Sequence, residues 1–408
     1  MTSVKRLNMQ GMLFLLCFSL FASTVSAPAF AAVKTGASCS KLNSTSIANG
    51  FKYTCIKSGK KLVWGKGVKV VAPKPSATPI ASPTLVATPM PTPTPTPTPT
   101  FKDLTFSNIS ENIDAIAFNV YSKYQTLMAT DYKSSIKVNT IIGPNTVPVN
   151  KNSAAAYQIA SKIFQNFKQP DEVFAIYYTF ADKEWAKNEV ANRAGKNIAD
   201  FQFGYSCPNA SRCWDASASV TLDWKAIAHF GTSDPGGSVA IAERTGEIQI
   251  HEFTHSISFF QLKPVKGNYY NLTPDWFGEG HASFTGKLGG STSFEDYKLL
   301  RNEAIGRNRP FPEIKDYKPE NILRFYEAFS KYPEVSVIER FYLYTLGWST
   351  IEALAAIGGI DSPMNLFVET AKGLTFKQAF KKTYGIEWEA AAPILAEVVS
   401  KQFRTFYP

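Results

Sequence analysis

Two imidazoles and a carboxylate stand within five residues, at His251-Glu252-Phe253-Thr254-His255. A helix advances about 100° per residue, so His255 falls roughly 40° from His251 and Glu252 roughly 100° away, and all three project into one cleft. Imidazole nitrogen is a zinc ligand, and a carboxylate beside the ion can take the proton of an attacking water. A blander arrangement also fits, two satisfied helix histidines with a surface Glu, unless a third ligand exists.

A third ligand is available downstream. Thr273-Pro274-Asp275 reads as a helix start, with Thr273 as cap and Pro274 at the first helical position. That start puts Glu279, 24 positions after His255, in the first turns of a second helix, where it completes a two-His, one-Glu set and leaves a fourth position open. The flanking Gly278 and Gly280 permit close approach of this helix to the metal helix. The other histidines are poorer candidates. His281 is turned roughly 200° from Glu279 and is expected to be packed or exposed. His229, in Ala228-His229-Phe230-Gly231, belongs to no motif and is expected in a loop.

Elements that can hold these groups are readable around them. Thr245 can cap the first helix and Glu247 sits in its first turn, while Lys263-Pro264 ends it. Ile250, Phe253, Ile257 and Phe260 fall in an arc of roughly 80°, separate from the arc of His251, Glu252 and His255, so one face packs and the other coordinates. Val173 to Phe180 reads as a buried strand, and Ser238 to Ala242 as a second one, an edge along which an extended peptide could pair. Downstream the pattern turns helical: Ser362-Pro363 and Thr375 with Gln378 are helix starts, Gly385-Ile386 closes a segment, and a last helix runs toward Phe403. A mixed first half and a helical second half predict an α+β fold with a cleft between.

His251-Glu252-x-x-His255 followed by Trp276-x-x-Glu279-Gly280-x-Ala282-x-Phe284 resembles the gluzincin metallopeptidases, the peptidase MA-like group, and the likeness extends through Tyr344-x-x-Gly347, Thr375-Phe376-x-x-Ala379-Phe380 and Tyr384-Gly385. The resemblance implies a zincin-like catalytic domain in which His251, His255 and Glu279 bind Zn2+ and Glu252 activates water for peptide hydrolysis. It also implies a transition-state tyrosine on a downstream helix, with Tyr344 the best match and Tyr342 its competitor. The family's thermolysin-like members carry an acid four residues beyond the ligand Glu; Ser283 stands there, so the partner that orients a ligating histidine is not identified from sequence. Two other functional classes fit the same residues: a zinc hydrolase acting on a non-peptide carbonyl, and a non-catalytic zinc-binding surface or wall-associated protein. An intact Glu252 argues against the second, since binding alone does not use that carboxylate.

The formal charge of +10 suggests nucleic acid until its distribution is read. Residues 1–74 hold eleven Lys or Arg and no acid, and the rest is near neutral at 32 basic against 33 acidic residues, so no nucleic-acid partner is expected. Lys5 and Arg6, an apolar run from Gly11 to Phe21 and Ala29-Phe30-Ala31 read as a secretory signal over residues 1–31, with an exported product and no membrane span after its removal. Residues 32–72 read as a small basic β module. Its Cys39, Tyr53-Thr54-Cys55 and Lys61-Leu62-Val63-Trp64 resemble short Cys-and-Trp modules at the ends of actinobacterial exported proteins. Its lysines are expected either to grip an anionic wall polymer or to be a solvated surface. Residues 73–100, ending in a Pro-Thr repeat, form an extended spacer, and residues 101–408 the metallopeptidase-like domain. Four cysteines remain after the leader; export favours disulfides, and proximity favours Cys39 with Cys55 and Cys207 with Cys213 among three possible connectivities. No phosphate-binding Gly-x-x-x-x-Gly-Lys and no Gly-x-Ser-x-Gly elbow is present.

Overall fold

Within the Pro/Thr stretch the chain divides into two units, Met1–Pro93 and Thr94–Pro408. The computed structural model describes residues 34–39, 42, 44–48, 51–69, 102–148, 153–213, 215–232, 242, 245–265, 272–306, 316–328 and 342–405. The predicted leader and spacer lie outside the described residues, as does the predicted strand at Ser238 except for Ala242, which is helical.

The first unit is an antiparallel sheet around β2 (Phe51–Ser58), with β1 (Thr45–Ala48), β3 (Lys61–Trp64) and β4 (Val68–Lys69) all paired to it. Gly59 turns the β2–β3 hairpin at φ 60°, a backbone region that suits glycine. Of β2 only Cys55 is fully buried. Four short strands cannot bury enough apolar surface for stability, and the Cys39–Cys55 disulfide compensates. A loop of this length, 16 residues in separation, is worth about 3 kcal/mol when cross-linked.

The second unit is α+β. Its sheet runs β5 (Lys137–Ile142), β6 (Glu172–Tyr178), β8 (Ala226–Gly231), β7 (Asp215–Val220), with β5, β6 and β8 parallel and β7 antiparallel on the edge. The strand predicted at Val173 to Phe180 is β6, shortened at its end because Phe180 enters a 3-10 turn and stands 43% exposed. Alternation sorts β6 and β8 cleanly: Val173, Ala175 and Tyr177 with Ala226, Ala228 and Phe230 join the main core, while Ile176, Tyr178 and Ile227 join a smaller one. The smaller core is covered by α3 (Lys183–Ala194) and α4 (Lys196–Phe203) and holds the Cys207–Cys213 disulfide. The main core continues through α1 (Ile113–Met128) and α2 (Ser153–Ile163) to α5 (Glu247–Leu262) and α6 (Asp275–Gly290).

The helical half adds α7 (Phe294–Gly306), α8 (Pro319–Ala328), a single π turn at Leu343–Gly347, α9 (Trp348–Gly358), α10 (Ser362–Thr370), α11 (Phe376–Tyr384) and α12 (Trp388–Arg404). The predicted starts hold: Pro363 lies in the first turn of α10, and Thr375 and Gln378 cap each other reciprocally before α11, which Gly385 closes in the left-handed conformation. Glu352, fully buried on α9, accepts from Tyr297 Oη at 2.7 Å and Arg301 Nε at 3.0 Å on α7, so its charge is paired where water cannot reach it. Among the described residues no single helix is long and apolar enough to cross a membrane; Leu343–Gly358 and Ser362–Thr370 are so only together, across a 97° bend.

Candidate metal centre

The helix α5 is not a surface helix with one apolar stripe. Gln249 through Thr254, Ser256 to Ser258, Gln261 and Leu262 are all buried, because β7, β8, α2, α6 and α10 surround it. Phe253 packs edge-on against Tyr157 of α2, and Phe260, expected in the core, is only half-buried against Trp224. Its start also differs by a residue from expectation. Gly246, at φ 81°, is the cap, and Thr245 contributes a 3.4 Å contact from its hydroxyl to the Glu247 N–H. Gly246 lies so close to α2 that a Cβ would come within 2.8 Å of Ala156 Cβ. Leu262 ends the helix, and Lys263 folds over the Trp224 ring at 4.7 Å.

The second helix begins one residue later than predicted, with Pro274 as cap and Asp275 first. It locks onto α5 through Lys287 Nζ and Glu247 Oε1 at 2.5 Å, and through Gly286 and Gly290, where a Cβ would meet Glu247 O at 2.7 Å and Glu247 Cβ at 3.2 Å. Gly289 joins them, since a Cβ there would come within 2.7 Å of Ile250 Cδ1, so these three glycines admit α5. Gly278 has open space, and Gly280 serves a different neighbour: a Cβ there would collide with the backbone of Gly347 in the π turn, and one on Gly347 would collide with Trp276 O. Gly280→Ala is expected to lower stability by about 1–3 kcal/mol through this overpacking. Urea unfolding at fixed pH measures it, and an unchanged midpoint would refute the close crossing.

These packings bring three donor atoms together. His251 Nε2 and His255 Nε2 are 3.2 Å apart, and Glu279 Oε2 lies 3.4 Å from the first and 3.3 Å from the second. Ligands bound to a tetrahedral zinc at about 2.0–2.1 Å are spaced about 3.3 Å from each other, so this near-equilateral triangle has the dimensions of one face of a zinc tetrahedron. Among the described residues it is the one cluster of three or more His, Cys, Asp or Glu with metal-binding spacing. Glu252 is buried beside it, Oε1 3.9 Å from His251 Nε2, and accepts a hydrogen bond from the Ala218 N–H of β7.

The ionisable groups of the cluster shift one another strongly. Burial pushes the Glu279 carboxyl up, but the two imidazoles outweigh it and hold the group well below the ordinary carboxylate range. Burial presses His255 down, and the Glu279 carboxylate reverses the balance, so His255 is raised. His251 is lowered, mainly by burial. Glu252 is pushed up to about 8 by burial, with His255 opposing.

Around the triangle, Ser283 Oγ stands 3.5 Å from His251 Nδ1. The position four residues after Glu279 therefore faces His251, with a hydroxyl as its polar group. Tyr344, half-buried in the π turn, places its ring centroid 5.9 Å from that of His251, whereas Tyr342 is buried in the core near Phe325. His281 is packed as expected, stacked on Phe367 and edge-on to Phe164. His229 is a correction: it is a buried strand residue of β8, not a loop residue, and it points into the smaller core against Phe203 at 4.4 Å, on the sheet face opposite α5. Phe230 and Trp276 are core residues. What sequence reading missed is the Ala218 peptide group. Its contribution is main-chain, so no side-chain pattern announces it.

Compared with protein-family models, with curated proteins and with solved structures, the chain matches none of them.

Proposed function

We propose that this chain is a zinc-dependent peptidase. One observation carries the reading: the donor triangle of His251, His255 and Glu279, with edges of 3.2–3.4 Å, beside a buried carboxylate that is not part of it. A site that only bound metal would have no use for Glu252.

His251 Nε2, His255 Nε2 and Glu279 Oε2 would hold the ion. When bound, zinc supplies a Lewis acid that polarises a carbonyl oxygen and makes a neighbouring water more acidic. Glu252 takes the proton of the attacking water on its carboxylate and passes it to the nitrogen of the departing amine as the C–N bond breaks. The Ala218 N–H fixes the direction of that carboxylate, whose elevated pKa would fall toward that of a working base with a positive charge held in the triangle. Tyr344 stands at the rim of the triangle, where a phenolic hydroxyl stabilises negative charge on a tetrahedral carbon's oxygen.

The edge strand favours a peptide over a small ester as substrate. The register of β7 on β8 turns the backbone groups of Ala216, Ala218 and Val220 away from β8; Ala218 gives its N–H to Glu252 and its C=O to Gln202, so a chain paired along this edge would bond Ala216 and Val220 and pass the general base between them. Gln202 Nε2 donates to Ala218 O at 3.0 Å and steadies the strand.

The test is metal analysis of the purified chain together with cleavage of a random peptide library. One equivalent of zinc with zinc-dependent cleavage is the expected result; full zinc loading without cleavage of peptides, amides or esters would refute the enzyme. Ser283→Ala is expected to weaken zinc binding about 10–100-fold by releasing His251, and Ser283→Asp to restore or exceed the original affinity. Competition with a chromophoric chelator measures both, and equal affinity across the three proteins would show that Ser283 does not orient the ring.

A further inference from the structure

We propose that the first unit is a docking module for a flexible polyanion, such as a glycerol phosphate or other anionic wall polymer, bound by wrapping rather than by one flat face. The unit contains no partner for its own cations, because the first acidic residue in the chain is Asp103. Lys52, Lys57, Lys60, Lys61, Lys66 and Lys69 are all exposed, and none forms an ion pair among the described residues. Crowding so many like charges onto a sheet of four short strands works against its folding, and an external anion relieves that repulsion.

The register decides the kind of anion. Residues directly opposite in an antiparallel pair share a face, and successive residues alternate. Phe51 opposite Lys69 and Lys57 opposite Leu62 set one face, which also carries Cys55 and Trp64; Lys52 opposite Val68 and Ser58 opposite Lys61 set the other, with Ile56 and Val63. Each face therefore carries two lysines, while Lys60 and Lys66 lie in the connecting segments. The exposed apolar side chains are divided as well, Phe51 on one face and Ile56 and Val68 on the other. A planar membrane touches one face and wastes half of the charge. A flexible polymer reaches both.

The experiment uses the full chain and poly(glycerol phosphate) as probe, with binding followed by anisotropy at roughly 50 and 200 mM salt. Affinity is expected to fall on the order of tenfold or more between them as counterions are released. Two double variants separate the faces: Lys57→Gln with Lys69→Gln, and Lys52→Gln with Lys61→Gln. Each is expected to weaken binding several-fold and to flatten the salt dependence by a similar amount, with zinc content unchanged. No binding, salt-independent binding, sensitivity to only one pair, or a tenfold preference for phosphatidylglycerol vesicles or single-stranded DNA over the polymer would each overturn the proposal. None of these results bears on the metal centre, whose failure would show in the zinc content.

Discussion

Glu252→Gln is expected to keep its zinc and lose roughly 10²–10⁴ of its peptidase rate, whereas Glu279→Ala loses both metal and rate. The two carboxylates differ in what they touch. Glu279 lies 3.3–3.4 Å from both imidazole nitrogens and closes the triangle, so its removal leaves two imidazole ligands and takes away the anionic ligand that balances the charge of a cation there. The affinity loss should exceed the roughly 10–100-fold that follows from disturbing an outer partner. Glu252 lies outside the triangle, and the amide of Gln is isosteric but accepts no proton, so binding survives while proton transfer does not. Zinc stoichiometry after dialysis and turnover of one cleaved peptide give the two readouts. Undiminished activity in either variant, or stoichiometric zinc in Glu279→Ala, would remove the basis of the functional assignment.

Acid is expected to unfold the second unit through His229. Burial lowers this imidazole to about 3, against an ordinary value of 6.5, and Nε2 finds no hydrogen-bond partner among the described residues. Nδ1 faces the Tyr178 hydroxyl at 3.4 Å, and Phe203 covers the ring. A proton therefore has no counter-charge there. Between the two values the unfolded chain binds a proton that the folded chain refuses, so the contribution of this group is complete above pH 6.5 and is lost as pH falls. The slope is about 1.4 kcal/mol per pH unit, and several kcal/mol accumulate before the folded value is reached. His229→Phe keeps an aromatic against Phe203 and removes the titration. Urea midpoints from pH 7 to 4 should fall steeply in the natural chain and less steeply in the variant, by roughly that slope. Parallel curves would show that His229 is not the group responsible. The change leaves α5 untouched, since β8 turns His229 toward the opposite side of the sheet from the metal triangle.

What could be read in the amino-acid order was whatever a few bonds of chain geometry dictate. The pairing of His251 with His255 one turn apart, the reciprocal cap of Thr375 and Gln378, the left-handed Gly385 and the near-neighbour disulfides all follow from short-range covalent spacing, and all are found. The α+β class follows from the change of hydrophobic period along the chain. Packing alone decided the rest. Glu279 meets the histidines because Gly286 and Gly290 let α6 press onto α5, and Tyr344 rather than Tyr342 faces His251 because a π turn sets the phase of that segment where Gly347 crosses Gly280. His229 is buried on the far side because β8 is an interior strand whose alternation points odd and even residues to different cores. A sequence specifies the identity of each group and its angle to its nearest neighbours; distances between groups far apart in the chain are fixed only when backbones close to within a methyl group of one another.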